Sequence, residues 1–347
     1  MKRVLRPVIS IILVCILMLT FVGCSSGGNS GASGTASTDG NVKTIRLKMN
    51  HTVAETSLWH TYSVKYAELI EERTQGRYAI DVFANEQLAA GSQLKTLEML
   101  RAGTIDIDLH AIPIWAGIDE RFSIVNMPWL FPNSDVADKF LFGEGGQSLL
   151  NLVWENGCVP IALGENGYRQ VLNIKNPITK PEDMTNMKIR VPGMTMFIDF
   201  YRQLGADPTT TNWGEVFSAL QQGTIDGMES PPEIIYSGRF QEVNKYMSMW
   251  NAAYDVLILS MSQKAYDGLS EEDRKIFMDT GVEVMTEQIA AQRAKNEECA
   301  KLLESEIEMY YPTEEEMKAF RAKVQPIYDQ YADKFPDDLK KAVNYNE

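Results

Sequence analysis

Three segments decide how this chain folds: KIRVP at 188–192, WGEVF at 213–217 and GTIDGMESP at 223–231. The first segment is a short β-branched strand that Pro192 prevents from continuing as a regular ladder, so Arg190 lies where the strand ends. Ligands of open α/β sheets collect at such strand ends. A guanidinium there offers a fixed fork of donors that suits a carboxylate held by two hydrogen bonds. A structural ion pair is the alternative role for Arg190.

The order of elements around this segment occurs twice in the chain. The first set consists of a strand at 45–49, a helix at 58–73, a strand at 78–82, a helix after Ser92 and a strand at 105–109. The second set has a strand at 188–191, a helix at 196–204 and a helix after Asn212, and both sets carry GTID, at 103–106 and at 223–226. Strands that alternate with helices predict a mostly parallel sheet. We therefore expect two similar α/β lobes with a cleft between them, unless the recurrence of this common helix–glycine–strand signal is chance.

The chain after residue 260 has a different pattern. A long amphipathic stretch begins after Ser270 and runs towards Ile307, with Gly281 as a candidate break, and Thr313 with Glu316 predicts a capping box for a later helix. We expect lobe 1 at about 43–163, lobe 2 at about 164–260 and C-terminal helices at about 270–347. These helices contain no evident catalytic set and are predicted to brace the lobes.

Several segments together carry a resemblance to a known family. Besides the three already quoted, they are ERTQGR at 72–77, GTID at 103–106, PWLF at 128–131 and ENGYR at 165–169. In order and spacing they resemble the substrate-binding proteins of tripartite ATP-independent periplasmic (TRAP) transporters, of the DctP type. The resemblance covers nearly all of the chain after residue 42. It implies an α/β, two-lobed fold of the periplasmic-binding-protein kind, with a long C-terminal helix that spans both lobes.

The resemblance also implies roles for two arginines. Arg190 matches the residue that grips the substrate carboxylate, and Arg169, expected just before a short strand, matches one that contacts a second polar group of the ligand. A structural pairing of Arg169 with Glu165 or Asp183 is the alternative. These two guanidiniums are the centre of the predicted site.

Other residues match positions that surround the ligand in the resembled family. Trp213 matches an aromatic that packs on the ligand, with core filling as its alternative. Ser230 stands where relatives usually carry Asn, and its shorter hydroxyl reaches different substrate atoms. The remaining candidates are Glu229 in the turn and Asn50 and His51 at the end of the first strand. Glu229 has bracing of the hinge as its alternative, and His51, like His110, is also compatible with a supporting role outside the ligand shell.

The first 42 residues read as an export signal and a tether. Lys2, Arg3 and Arg6 precede an apolar run at 8–22, which is typical of a signal peptide and short for a transmembrane helix. The sequence FVGC at 21–24 resembles a lipobox, although Phe21 stands where Leu is favoured, so we expect cleavage after residue 23 and a lipid on Cys24. Residues 25–42 are Gly- and Ser-rich and predict a flexible tether. An ordinary signal peptide is the alternative.

The composition and the absent motifs disfavour several classes of partner and function. The formal net charge of -14 disfavours nucleic acid and anionic lipid as partners, and it means that an anionic substrate needs a local positive site. The chain lacks a P-loop and GxSxG, and its three histidines, His51, His60 and His110, have no usual zinc spacing, so neither an enzyme nor a metal or other cofactor is expected. Cys158 and Cys299 are expected to be free and buried.

These features predict an extracytoplasmic, lipid-anchored receptor that hands a small organic acid to a small and a large integral membrane subunit. A sugar acid such as a uronate and a C4-dicarboxylate both remain open as the ligand, as do 2-keto and hydroxy acids. The small polar partners favour a hydroxylated monocarboxylate. The alternatives are a ligand-sensing lipoprotein of the same fold and the receptor of an ATP-driven importer.

Overall fold

A computed structural model describes residues 43–343 and Tyr345. The predicted signal peptide, Cys24 and the tether lie outside the described residues. Within the described part, no helix combines the length and the apolar character that crossing a membrane requires.

Nine strands form one sheet in the described part of the chain. They are β1 (Ile45–His51), β2 (Tyr78–Phe83), β3 (Ile107–Ala111), β4 (Cys158–Asn173), β5 (Lys188–Val191), β6 (Asp207–Thr210), β7 (Gly227–Ser230), β8 (Tyr246–Ser262) and β9 (Glu308–Tyr310). The α-helices are α1 (Leu58–Arg73), α2 (Gln93–Arg101), α3 (Ile112–Trp115), α4 (Ser134–Leu141), α5 (Glu144–Glu155), α6 (Thr195–Gln203), α7 (Trp213–Gln221), α8 (Pro232–Ser237), α9 (Gln263–Asp267), α10 (Glu271–Leu303), α11 (Glu314–Tyr331) and α12 (Asp337–Ala342).

The predicted repeat is present as two parallel units of identical topology. In the first unit β1 lies between β2 and β3, and in the second β5 lies between β6 and β7. The aspartate of each GTID sequence makes the same contact: Asp106 accepts from the Lys48 backbone N–H at 2.8 Å, and Asp226 accepts from that of Lys188 at 2.8 Å. The two GTID sequences therefore fix equivalent strand pairs.

Two long strands join the units. β4 and β8 pair with each other along most of their length, β8 pairs with β3 of the first unit, and β4 pairs with β7 of the second. These three pairings are antiparallel, so the expectation of a mostly parallel sheet holds within the units but is wrong at the centre. Register shifts interrupt the β4–β8 ladder, and one of them, between Glu165 and Gly167, lies where the ribbon passes from one unit to the other. Bulges of this kind bend and twist a strand.

The long helix α10 crosses the outside of this ribbon without a break at Gly281. A Cβ on Gly281 would lie 2.2 Å from Cγ2 of Ile161, so glycine lets the helix approach β4 closely. Gln288 of α10 accepts from the Glu165 backbone N–H at 2.9 Å and donates to the Glu165 carbonyl at 2.7 Å. The helix therefore braces the ribbon at the place where it passes between the units. The capping box of Thr313 and Glu316 is present at the start of α11, as predicted.

Candidate functional site

A small cavity lies where the strand ends of the two units face each other. Its volume is about 30 Å³, and side chains from both units and from β4 line it. Of the predicted site residues, the lining includes Arg169, Arg190, Trp213 and Ser230. A wider depression of about 420 Å³ lies beside it and shares Gln93, Pro113 and Ile114 with its lining. The inner cavity is far smaller than the pockets that enclose organic ligands.

Arg190 is the penultimate residue of β5, and it is only 1% exposed. Its Nε and Nη2 donate to the carbonyl of Thr211 at 3.0 and 2.9 Å, and Nη2 also donates to Oε1 of Gln93 at 3.3 Å. These acceptors are neutral, and burial lowers the pKa of the guanidinium to about 10. Arg190 therefore keeps its charge at neutral pH without a carboxylate partner among the described residues.

Arg169 has the opposite environment. It lies within the long strand β4 and not ahead of a short one. Its guanidinium forms buried ion pairs with Glu229 and Asp255, including a 2.9 Å bond from Nη2 to Oε1 of Glu229. Burial raises the pKa of both carboxyl groups, and Arg169 opposes that rise. Its ion-pair partners are thus neither Glu165 nor Asp183, and its charge is already neutralised by the protein.

Trp213 and Ser230 lie in the second unit, beside Arg190. Trp213 is the first residue of α7, its ring centroid is 5.6 Å from the Arg190 guanidinium carbon, and it packs against Phe240 at 5.2 Å. The Trp213 ring therefore contacts both the cavity and the hydrophobic core. Ser230 is the last residue of β7 and is buried in the cavity wall.

Asn50 and His51 are not among the cavity-lining residues. Asn50 donates to Glu86 at 2.8 Å, and His51 pairs with His60 at 3.0 Å between ring nitrogens. Burial lowers the pKa of His51 to about 3 and keeps the imidazole neutral. Both residues belong to a polar cluster inside the first unit.

His110 holds this cluster together. Its Nε2 lies 2.6 Å from Oε1 of Glu86, and its Nδ1 bonds to Asp108. Burial lowers the pKa of the imidazole, but the two carboxylates outweigh it and raise the pKa to about 10. The imidazolium thus neutralises part of a buried negative cluster, and no ligand is needed to complete that ion pair.

Gln93 is a lining residue that the sequence analysis missed. It is the first residue of α2, just as Trp213 is the first residue of α7, and it lines both the inner cavity and the outer depression. Its bond to Arg190 connects the two units across the cavity. The equivalence of the two GTID sequences was the signal available for finding it.

Two glycines bring the units into backbone contact at the mouth of the site. A Cβ on Gly214, the second residue of α7, would lie 3.7 Å from Cα of Gly91, which precedes α2. Gly91 has φ +84°, a conformation that L side chains rarely adopt. The mouth is therefore closed by main chain at this point. Elsewhere, Cys158 and Cys299 are free and buried, as expected.

The comparisons with known proteins give a consistent result. The family model described as bacterial extracellular solute-binding protein, family 7 (DctP), matches residues 49–334. The 2,3-diketo-L-gulonate-binding periplasmic protein YiaO of Escherichia coli is 30% identical over 237 residues, which cover 68% of this chain and 72% of that protein.

Solved structures agree over a larger part of the chain. A TRAP periplasmic solute-binding protein from Ralstonia eutropha with bound (S)-2-acetolactate has a TM-score of 0.83 at 28% identity, and it covers 86% of this chain and 98% of its own. One from Shewanella oneidensis with bound succinate has a TM-score of 0.83 at 25% identity, and it covers 88% of this chain and 100% of its own.

Proposed function

The chain belongs to family 7 of the bacterial extracellular solute-binding proteins, the DctP type, and we propose that Arg190 holds the carboxylate of its solute. The protein is a solute-binding receptor of a TRAP-type transporter, with the two-lobed fold of that class, and not an enzyme. The residues that bind the solute and the solute itself belong to the proposal.

The state of Arg190 is the observation that carries the proposal. A buried guanidinium that faces only neutral acceptors is costly to desolvate, and a carboxylate restores the lost interaction. Nε and Nη2 are held by Thr211, whereas the 3.3 Å bond to Gln93 is the longest of the set. A carboxylate that replaces Gln93 on Nη2 also reaches Nη1, which gives a two-pronged contact. Arg169, already bound by Glu229 and Asp255, orients the neighbouring wall.

The named ligands of the relatives share this chemistry. 2,3-Diketo-L-gulonate, (S)-2-acetolactate and succinate differ in size and hydroxylation, but each carries a carboxylate. A small organic acid is therefore the ligand class that we assign to this chain. Opening of the units admits the acid, and closure removes water around the ion pair and strengthens it. The loaded receptor then delivers the acid to the integral membrane subunits of the transporter.

Attachment to the membrane is the second part of the proposal. The basic residues at 2–6, the apolar run and Cys24 support export followed by lipidation of Cys24, with residues 25–42 as the tether. Replacement Cys24→Ser in the full-length protein should move it from the membrane fraction to the soluble fraction. Wild-type protein that is already soluble after export would contradict the anchor.

Isothermal titration tests the role of Arg190. An acid identified by thermal shift should bind Arg190→Ala roughly 10²- to 10³-fold more weakly, because the ligand carboxylate loses its buried partner. Arg190→Lys should recover only part of the affinity, since an ammonium lacks the planar fork. Arg202→Ala, on the last turn of α6 and outside the cavity lining, is the matched control. Binding to Arg190→Ala within about threefold of wild type would give Arg190 a structural role.

A further inference from the structure

We propose that the solute is a monocarboxylate with a mainly aliphatic remainder and a single oxo or hydroxyl group beside the carboxylate, such as a branched 2-oxo acid. The inference rests on the proposed function, because it takes Arg190 as the carboxylate partner. It narrows that function from small organic acids in general to one class of them, and three features of the cavity wall support it.

The first feature is the charge of the wall. Arg169 and Arg190 are the cationic side chains in the described lining. Arg169 contacts Glu229 and Asp255, so those three groups together carry one negative charge. A second carboxylate on the ligand would find no uncommitted cation there, and it would face this negative group in the same wall. The wall therefore suits one carboxylate and disfavours two.

The second feature is how few polar groups remain available. Thr52 donates to Glu86 at 2.7 Å, and Trp59 donates to Asn166 at 3.1 Å. Asn166 in turn donates to Asp255 at 2.9 Å. Besides Nη1 of Arg190, which the carboxylate takes, the lining donors left without a partner within the described residues are the Ser230 hydroxyl, the Gln93 amide and the Trp213 indole N–H.

Those donors suffice for one oxygen substituent near the carboxylate. Ser230 ends β7, which pairs directly with the strand that carries Arg190, and Gln93 already contacts Arg190. Glucuronate in its ring form has four hydroxyl groups besides the carboxylate, each of which needs a partner when buried. A buried hydroxyl without a partner costs free energy comparable to a lost hydrogen bond.

The third feature is the apolar remainder of the wall, which both sides of the cleft supply. Its aliphatic members are Val53, Ala111, Pro113, Ile114, Pro192 and Ile234. Contact with these side chains favours methyl and methylene groups on the ligand, because apolar area is then removed from water on both partners. These side chains therefore form an aliphatic pocket beside the Arg190 guanidinium.

Titration of the purified protein with four acids tests the inference. We expect 3-methyl-2-oxobutanoate to bind roughly tenfold tighter than pyruvate, because it buries additional methyl groups. We expect it to bind at least about tenfold tighter than succinate and than glucuronate. If succinate or glucuronate binds tightest and Arg190→Ala abolishes that binding, the inference is overturned while the proposed function stands. If none of the four binds, the inference is overturned, and the proposed function fails as well only if Arg190→Ala leaves the affinity for the acid found by thermal shift unchanged.

The isosteric replacement Val53→Thr gives a second test that does not depend on absolute stability. It places a hydroxyl in the aliphatic wall, so the affinity ratio of 3-methyl-2-oxobutanoate to glucuronate should fall by roughly tenfold. Val82→Thr in β2, half-buried and outside the lining, makes the same chemical change away from the cavity and should leave the ratio unchanged. An unchanged ratio in folded Val53→Thr would overturn the inference, since a purely structural effect weakens both acids alike.

Discussion

The two α/β units share one topology but carry chemically different side chains at equivalent positions. Asn50 and Arg190 follow the aligned Lys48 and Lys188 by two residues, and His110 and Ser230 occupy the corresponding ends of β3 and β7. In the first unit these positions form a buried cluster with carboxylates of the protein. In the second unit the cation faces neutral groups.

The difference shows that a repeated scaffold can carry different charge arrangements in its two halves. Both units bring polar side chains to the carboxyl ends of parallel strands, where ligands bind in open sheets. The first unit neutralises its cation internally and so contributes a rigid wall. The second leaves one cation, Arg190, without an ion-pair partner among the described residues, and our proposal assigns the solute anion to this cation.

Breaking the cluster of the first unit should have the largest effect on stability. His110→Ala leaves Asp108 and Glu86 buried without their shared cation, and such a loss typically costs about 3–5 kcal/mol. Urea denaturation followed by circular dichroism should show this decrease in the unfolding free energy. His60→Ala removes a half-buried histidine outside the carboxylate pair and serves as the control. A decrease in His110→Ala no larger than in the control would refute the structural role of the cluster.

Removal of the Arg190 cation from the second unit should affect stability much less than removal of His110. Without ligand, Arg190→Ala removes a charge that forms no ion pair with a carboxylate of the described residues, so the unfolding free energy should change by less than about 1.5 kcal/mol. Arg169→Ala provides the contrast, because it leaves Glu229 and Asp255 unpaired and should cost about 3–5 kcal/mol. The same denaturation experiment on ligand-free protein compares the two variants. Equal destabilisation would mean that Arg190 is as structural as Arg169.

The pH dependence of stability should also separate the units. His110 has an ordinary pKa of 6.5 that the folded cluster raises to about 10. Its stabilising contribution is therefore complete below about pH 6.5 and is lost as the pH rises towards 10. Denaturation series at pH 7, 8.5 and 10 should show a steeper fall in unfolding free energy for wild type than for His110→Gln. Parallel curves would show that His110 does not carry the raised pKa.

The smallest effect is expected at the glycine contact between the units. Gly214→Leu places a branched side chain against Gly91 and should hold the mouth partly open. If closure is required for tight binding, the apparent affinity falls with the population of the closed form, by roughly tenfold if a tenth still closes. Gly214→Ala should bind as wild type, because its Cβ would meet Gly91 at an ordinary 3.7 Å. Titration together with small-angle scattering distinguishes a lost contact from a changed shape.

The sequence predicted the repeated units well because their signals are local. The helix bounds at Leu58–Arg73 and the capping box at Thr313 follow from spacing and capping residues within a few positions. The continuous strand β4 was missed, since Pro160, Gly164 and Gly167 make it look like several short runs, and the β4–β8 ladder absorbs the irregularity through register shifts.

The part of the candidate site that was predicted also has signals that are local in the sequence. Arg190 follows from a strand end and a proline. The partners of Arg169 do not, because Asp255 lies 86 residues further along the chain and only the pairing of β4 with β8 brings it close. Glu86, which completes the first-unit cluster, lies in a turn with φ 55°, for which the sequence carries no clear marker. The pairing of strands that are distant in the sequence thus determines which charged side chains form ion pairs within the protein and which do not.

The ribbon of β4 and β8 also has a consequence for how the chain reaches its folded state. β3 of the first unit pairs with β8, and Ile107 is the partner of Met261. The edge of β3 is therefore covered only after Met261 has been synthesised. Pairings so distant in sequence form slowly, since the entropy of closing a long loop comes before the contacts that reward it. The second unit does not share this delay, because β7 pairs with β4, which precedes it in the chain. The edge of β3, in contrast, stays without its partner strand until residue 261 has been made.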